Sequence, residues 1–319
     1  MSEQLPPGIV RVPILFVNAY LVDITPNKPA GGWFLVDTGL RGVGAALIRR
    51  AAAKRYGADS PPQGIVLTHG HFDHAGAAAS LAEHWSVPLF VHPLELPYVT
   101  DRSAYPPQDP TVGGALAMMS RAFPTGAMDL AGRVEPLSED RVPFFREWRV
   151  MHTPGHTPGH VSLWRERDRV LLAGDALATM NQESWITTIT MPRELRWPPA
   201  PFTTDWDAAT ASIQRLAELR PHTVAAGHGL PMAGDHVAGV LDAFAGSFRR
   251  PEHGRYVEQP ARADERGVAE IPPAVPDPVG STMGLVAGSM AIAALMFAIS
   301  RGRRRREFVA TRRRGEPLR

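Results

Sequence analysis

The chain of 319 residues contains no cysteine. That absence removes disulfides, thiolate metal ligands and a cysteine nucleophile together, and leaves His and carboxylate side chains to hold any metal. No signal peptide is evident in the first residues, where no basic start leads into an apolar run. Positive charge is scarce where a nucleic-acid surface would need it. The net charge is +2, but residues 301–319 hold nine Arg against two Glu, a surplus of seven, so residues 1–300 carry −5. The basic character belongs to the tail, and the body has no polyanion-binding composition.

What is present fits an ordinary globular protein of one large or two smaller domains. With 44% hydrophobic residues, the chain has enough apolar side chains for a substantial core. Residues 8–38 read as β-strands, with turn-formers between Val22 and Trp33. A helix rich in Ala, Leu and Arg is expected over 43–54. A buried strand follows at Gly64-Ile65-Val66-Leu67, then a helix reaching about His84 and a strand over 88–92. Strands alternating with helices predict an α/β fold. Residues 97–135 have weak periodicity, which marks either a substrate-covering segment or loosely packed structure. The Met118-Met119 pair within them reads as core filler.

The chemistry concentrates at the end of the strand over 64–67. In Thr68-His69-Gly70-His71-Phe72-Asp73-His74, four metal-capable side chains fall within six residues. Residues two apart on extended chain point the same way, so His69 and His71 can aim at one point. Asp73 and His74 come after a turn, where adjacent side chains diverge and suit a second ion; Asp73 is also placed to cap the following helix. Three more Gly-preceded strand ends or turns carry His156, Asp175 and His228. Asp37, in Asp37-Thr38-Gly39, reads either as a brace for the metal loop or as a turn-former. His160 reads as a residue orienting a ligand or as a helix-start or core histidine. His84, His92, His152, His222, His236 and His253 read as structural or surface residues.

Taken together, His69-x-His71-x-Asp73-His74, Gly155-His156-Thr157, Gly174-Asp175 and Gly227-His228 resemble the metallo-β-lactamase superfamily, in its glyoxalase II-like and lactonase-like branches, over about residues 8–245. The resemblance implies an αββα sandwich with two divalent cations at one edge. His69, His71 and His156 would bind the first, Asp73, His74 and His228 the second, and Asp175 would bridge. Zinc is the expected ion, and iron and manganese accept the same donors. The implied activity is metal-dependent hydrolysis of an ester, thioester, lactone or related carbonyl compound by a bridging hydroxide that Asp73 orients. Glutathione thioesters fit poorly, because Ala176-Leu177-Ala178-Thr179-Met180-Asn181 lacks the Cys and basic residues of the glutathione-contacting segment. The alternatives are an iron-dependent oxygenase of the same fold and a phosphodiesterase or nucleic-acid-processing hydrolase.

Composition divides the chain into a catalytic domain over 1–247, a Pro-rich linker over 248–277, an uncharged stretch over 278–300 and an Arg-rich tail over 301–319. The uncharged stretch is long enough to span a bilayer as a helix, and Gly280, Gly284 and Gly288 would give it a face for close helix pairing. The expectation is a membrane-associated enzyme with a cytoplasmic catalytic domain and a small-molecule substrate; the alternative is a soluble cytoplasmic protein.

Overall fold

The computed structural model describes residues 5–25, 31–137, 141–142, 145–190, 192–277, 279 and 286–293. Two six-stranded sheets face each other. The first contains β1 (Ile9–Ile14), β2 (Val17–Asp23), β3 (Trp33–Val36), β4 (Ile65–Val66), β5 (Leu89–Val91) and β6 (Val134–Pro136) in sequence order. Its first three strands are antiparallel and the rest are parallel. Parallel strands need crossovers. These are α1 (Val43–Tyr56) between β3 and β4, then α2 (Phe72–Ala75) and α3 (Ala78–Trp85) between β4 and β5. Between β5 and β6 run α4 (Leu96–Val99) and α5 (Gly114–Ser120).

The second sheet contains β7 (Arg141–Val142), β8 (Phe145–His152), β9 (Val161–Arg165), β10 (Val170–Gly174), β11 (Thr223–Ala226) and β12 (Met232–Ala233). Only β10 and β11 pair in parallel, across a connection carrying α6 (Trp185–Thr190) and α7 (Trp206–Glu218). The α8 helix (His236–Ser247) follows β12.

Alternation along the strands sorts side chains into layers. In β2, Tyr20 and Val22 enter a core shared by the two sheets, whereas Ala19 and Leu21 pack with residues of α1 and α3. In β10, Val170 and Leu172 join the shared core, whereas Leu171 and Ala173 pack with α7 and α8. Both faces of these two strands are therefore buried, which is why they are largely apolar. The layering is helix, sheet, sheet, helix. The loops after β4, β8, β10 and β11 meet along one edge, where Val161 N–H donates to Thr68 O at 2.9 Å and Asn18 N–H to Gly227 O at 2.8 Å.

The C-terminal expectations need correction. Residues 248–277 are packed onto the domain and do not form a free linker. Phe248, Tyr256 and Val257 are buried in the core around α7 and α8. Tyr256 OH donates to Pro107 O at 2.6 Å, and Ala261 N–H to Thr204 O at 2.9 Å. A hairpin of β13 (Arg262–Asp264) and β14 (Gly267–Glu270) continues the segment, with Val268 N–H donating to Ser103 Oγ. Proline prevents long helices here without preventing burial of the aromatic residues between the prolines.

Of the expected membrane span, residues 278, 280–285 and 294–300 lie outside the described residues, as does the Arg-rich tail. Residues 286–293 are helical, and Ala291 and Ile292 pack against Leu116 and Met119. A Cβ at Gly288 would stand 2.9 Å from the Met118 carbonyl, so the small residue lets this helix lie close to α5. Among the described residues no helix is long and apolar enough to cross a membrane.

Tyr256→Ala is expected to lower unfolding free energy by about 3 kcal/mol in urea titration. A residue in a free linker would change it by less than about 0.5 kcal/mol.

Candidate metal centre

The chain leaves β4 extended and enters α2 only at Phe72, with His71 at the helix cap position. Asp73 is therefore inside the first turn and caps nothing, contrary to one of its expected roles. His69 Nε2 lies 3.0 Å from His71 Nδ1, which lies 3.0 Å from His156 Nε2. Three nitrogens about 2.0–2.1 Å from one tetrahedral ion would stand about 3.3 Å apart, close to what is seen. On the other side, Asp175 Oδ2 lies 3.3 Å from His74 Nε2, 3.6 Å from His156 Nε2 and 3.2 Å from His228 Nε2. His228 Nε2 is in turn 3.5 Å from Asp73 Oδ2. All seven residues singled out in the sequence thus come together, in three overlapping groups of possible ligands. His84, His92, His152, His222, His236 and His253 belong to none of these groups. His152 instead stacks on His92, ring centroids 4.2 Å apart.

Burial sets the protonation states. It holds His69, His71 and His156 below the ordinary imidazole range, His71 at about 3, and neighbouring imidazoles add to the effect. These rings stay neutral, the form that can ligate. Burial also opposes charge on His74 and His228, but Asp175 and other carboxylates more than reverse it and raise both. Asp175 is held well below the carboxylate range, because His228 and His74 outweigh the effect of burial. Burial raises Asp73.

A surrounding layer fixes the rings. Asp37 takes a left-handed turn, φ 58°, a conformation Asp tolerates better than most residues. Its carboxylate accepts Thr68 N–H at 2.7 Å and His74 Nδ1–H at 2.8 Å. His228 Nδ1–H donates to Phe16 O at 2.9 Å, turning Nε2 inward. His160 accepts Asp175 N–H at Nε2, 2.8 Å, and its Nδ1 lies 3.1 Å from Thr153 O. It braces the strand end that carries Asp175, and burial depresses its pKa to about 3.

Glu95 and Tyr105 were not singled out from the sequence. Glu95 is fully buried and links two ligand loops: Oε2 accepts Gly70 N–H at 3.0 Å, between His69 and His71, and Oε1 accepts Gly159 N–H at 2.8 Å. Tyr105 OH donates to the same carboxylate and accepts Gly70 N–H at 2.9 Å. The available signal was one carboxylate in the apolar stretch Pro93-Leu94-Glu95-Leu96-Pro97.

The donors fit divalent cations on three counts. Asp175 Oδ1 and His74 Nε2 are buried yet make no hydrogen bond, as atoms meant for an ion would. A Cβ at Gly227 would stand 2.1 Å from Asp175 Oδ1, so the backbone leaves that oxygen no room to spare. The set is His and Asp alone, which suits zinc, iron or manganese.

Fold and donors together define a metal-binding α/β enzyme. The chain belongs to the metallo-β-lactamase superfamily, whose family model matches residues 12–228. It is 41% identical to the probable metallo-hydrolase YflN of Bacillus subtilis strain 168 over 240 residues, 75% of this chain and 90% of that protein. The probable metallo-hydrolase YybB of the same organism is 28% identical over 223 residues, 67% of this chain and 87% of that protein. The metallo-beta-lactamase family protein TTHA1429 from Thermus thermophilus shares the fold, with a TM-score of 0.52 at 24% identity, covering 75% of this chain and 80% of that one.

Glu95→Gln replaces one accepting oxygen by a donor that faces an N–H. Metal affinity is expected to fall about tenfold to hundredfold in competition with a chromophoric chelator. The metal-free protein should lose thermal stability as pH falls from about 6.5 towards about 3. His71 and His160, both at about 3 in the fold, bind protons only in the unfolded chain across that window. Melting curves at pH 7, 5 and 4 test this, and a flat profile would contradict it.

Proposed function

We propose that the protein is a dinuclear metallo-hydrolase acting on an ester, thioester or lactone. In this reading His69, His71 and His156 hold one cation, Asp73, His74 and His228 hold a second, and Asp175 is shared. The observation that carries it is the position of Asp175 Oδ2, within 3.6 Å of imidazole nitrogens from both groups. Zinc is the first expectation; iron and manganese suit the same donors.

Bound cations would supply Lewis acidity, lowering the pKa of water and polarising the carbonyl. The protein's own part is positioning and proton transfer. His71, Asp73, His156, Asp175 and His228 line one cavity, so substrate and donors share a space. The Asp73 carboxylate orients the attacking water and takes its proton as the new bond to the carbonyl carbon forms. The same proton then goes to the leaving oxygen or sulfur as its bond to carbon breaks. Burial raises Asp73 and so makes it a better acceptor near neutral pH.

Purified full-length protein should hold nearly two equivalents of metal. Asp73→Ala should lose hydrolysis of activated esters by about a hundredfold or more while keeping at least one equivalent, and His152→Ala should stay within a few-fold of the parent. Full activity with one equivalent, or equal losses at His152 and His156, would defeat the assignment.

A further inference from the structure

The space above the donors has a different character from the donors themselves. It is partly open to solvent and leaves about 40 Å³ for the centre of a water-sized sphere. Among the described residues its walls carry no Lys and no Arg. Four phenylalanines surround it, with Phe123 at their centre: its ring centroid is 6.1 Å from Phe16, 5.2 Å from Phe72 and 6.1 Å from Phe202. Leu116 and Met119 of α5 complete that side, and Gln182 is the one polar wall residue outside the donor set.

We propose, resting on the hydrolase reading above, that the substrate is an uncharged ester or thioester whose acyl group is an apolar chain seated around Phe123. A carboxylate, sulfonate or phosphate on that chain would enter a low-dielectric space with no Lys or Arg among the described wall residues to pair it, which is costly. An apolar chain gains from burial of each methylene. A quaternary ammonium would find aromatic faces but only phenylalanine, the ring types that hold cations best being absent from the wall. The irregular stretch around α5 is therefore the substrate-covering segment, and Met119 faces substrate space. Gln182, 7% exposed, is placed to hydrogen-bond a neutral polar group such as an ester oxygen.

The test uses the metal-loaded full chain and para-nitrophenyl esters. From acetate through butyrate and hexanoate to octanoate, kcat/KM should rise two- to fourfold per methylene until the space is full. The mono-ester of glutarate should be about a hundredfold poorer than the valerate, and a trimethylammonio-butyrate ester poorer than the hexanoate. Phe123→Arg, at a half-buried position, should shift the glutarate-to-valerate ratio at least tenfold towards the anion without changing metal content. Independently of turnover, octanamide titrated into the metal-free chain should bind with a negative heat-capacity change, and Phe123→Arg should weaken it at least tenfold. Preference for the anionic, cationic or acetyl ester, or failure of octanamide to bind, would overturn the proposal. Octanamide binding with no hydrolysis of any ester would instead reject the hydrolase reading and leave the apolar pocket standing.

Discussion

Five imidazoles and two carboxylates must face one another while buried, and the rest of the architecture answers to that demand. Burial alone would neutralise Asp73 and Asp175 and leave the rings free to rotate. The fold instead braces the donors from behind. Asp37 holds His74, the Phe16 carbonyl holds His228, and His160 holds the backbone of Asp175. Asp175 then sits at the junction between loops of the two sheets, drawn below its ordinary pKa by His228 and His74 in spite of its burial. The donors of the first sheet cannot close a site without those of the second, so the packing of sheet on sheet and the making of the site are one event.

The donors were legible because their spacing is so dense. His69, His71, Asp73 and His74 crowd one strand-to-helix turn, and Gly-His or Gly-Asp pairs at other strand ends or turns supply the remainder. The layered α/β fold was legible for a related reason: strands buried on both faces read as short apolar runs. The braces were harder to see. Glu95 is one carboxylate among apolar neighbours, and two of its partners are backbone N–H groups, which leave no mark on a sequence. Tyr105 sits in a stretch without periodicity and acquires its role only through the fold.

The C-terminal region misled for a physical reason. A run of prolines looks like a linker whether or not Phe248 before them and Tyr256 among them find a core. Likewise, an uncharged stretch of small and apolar residues suits lipid and suits the flank of α5 about equally well. Composition measures what a segment can tolerate as surroundings; the described part, 286–293, lies on protein.

That contact places the end of the described chain directly behind the wall of the cavity. Ala291 and Ile292 pack on Leu116 and Met119, which line the cavity, without being lining residues themselves. Exchanging either for a larger or smaller residue would move the wall while every group facing the reaction kept its identity. Selectivity could therefore drift during evolution through a segment outside the superfamily match, which ends at residue 228. Relatives sorted by their donor motifs alone would be grouped together while differing in the shape of this wall.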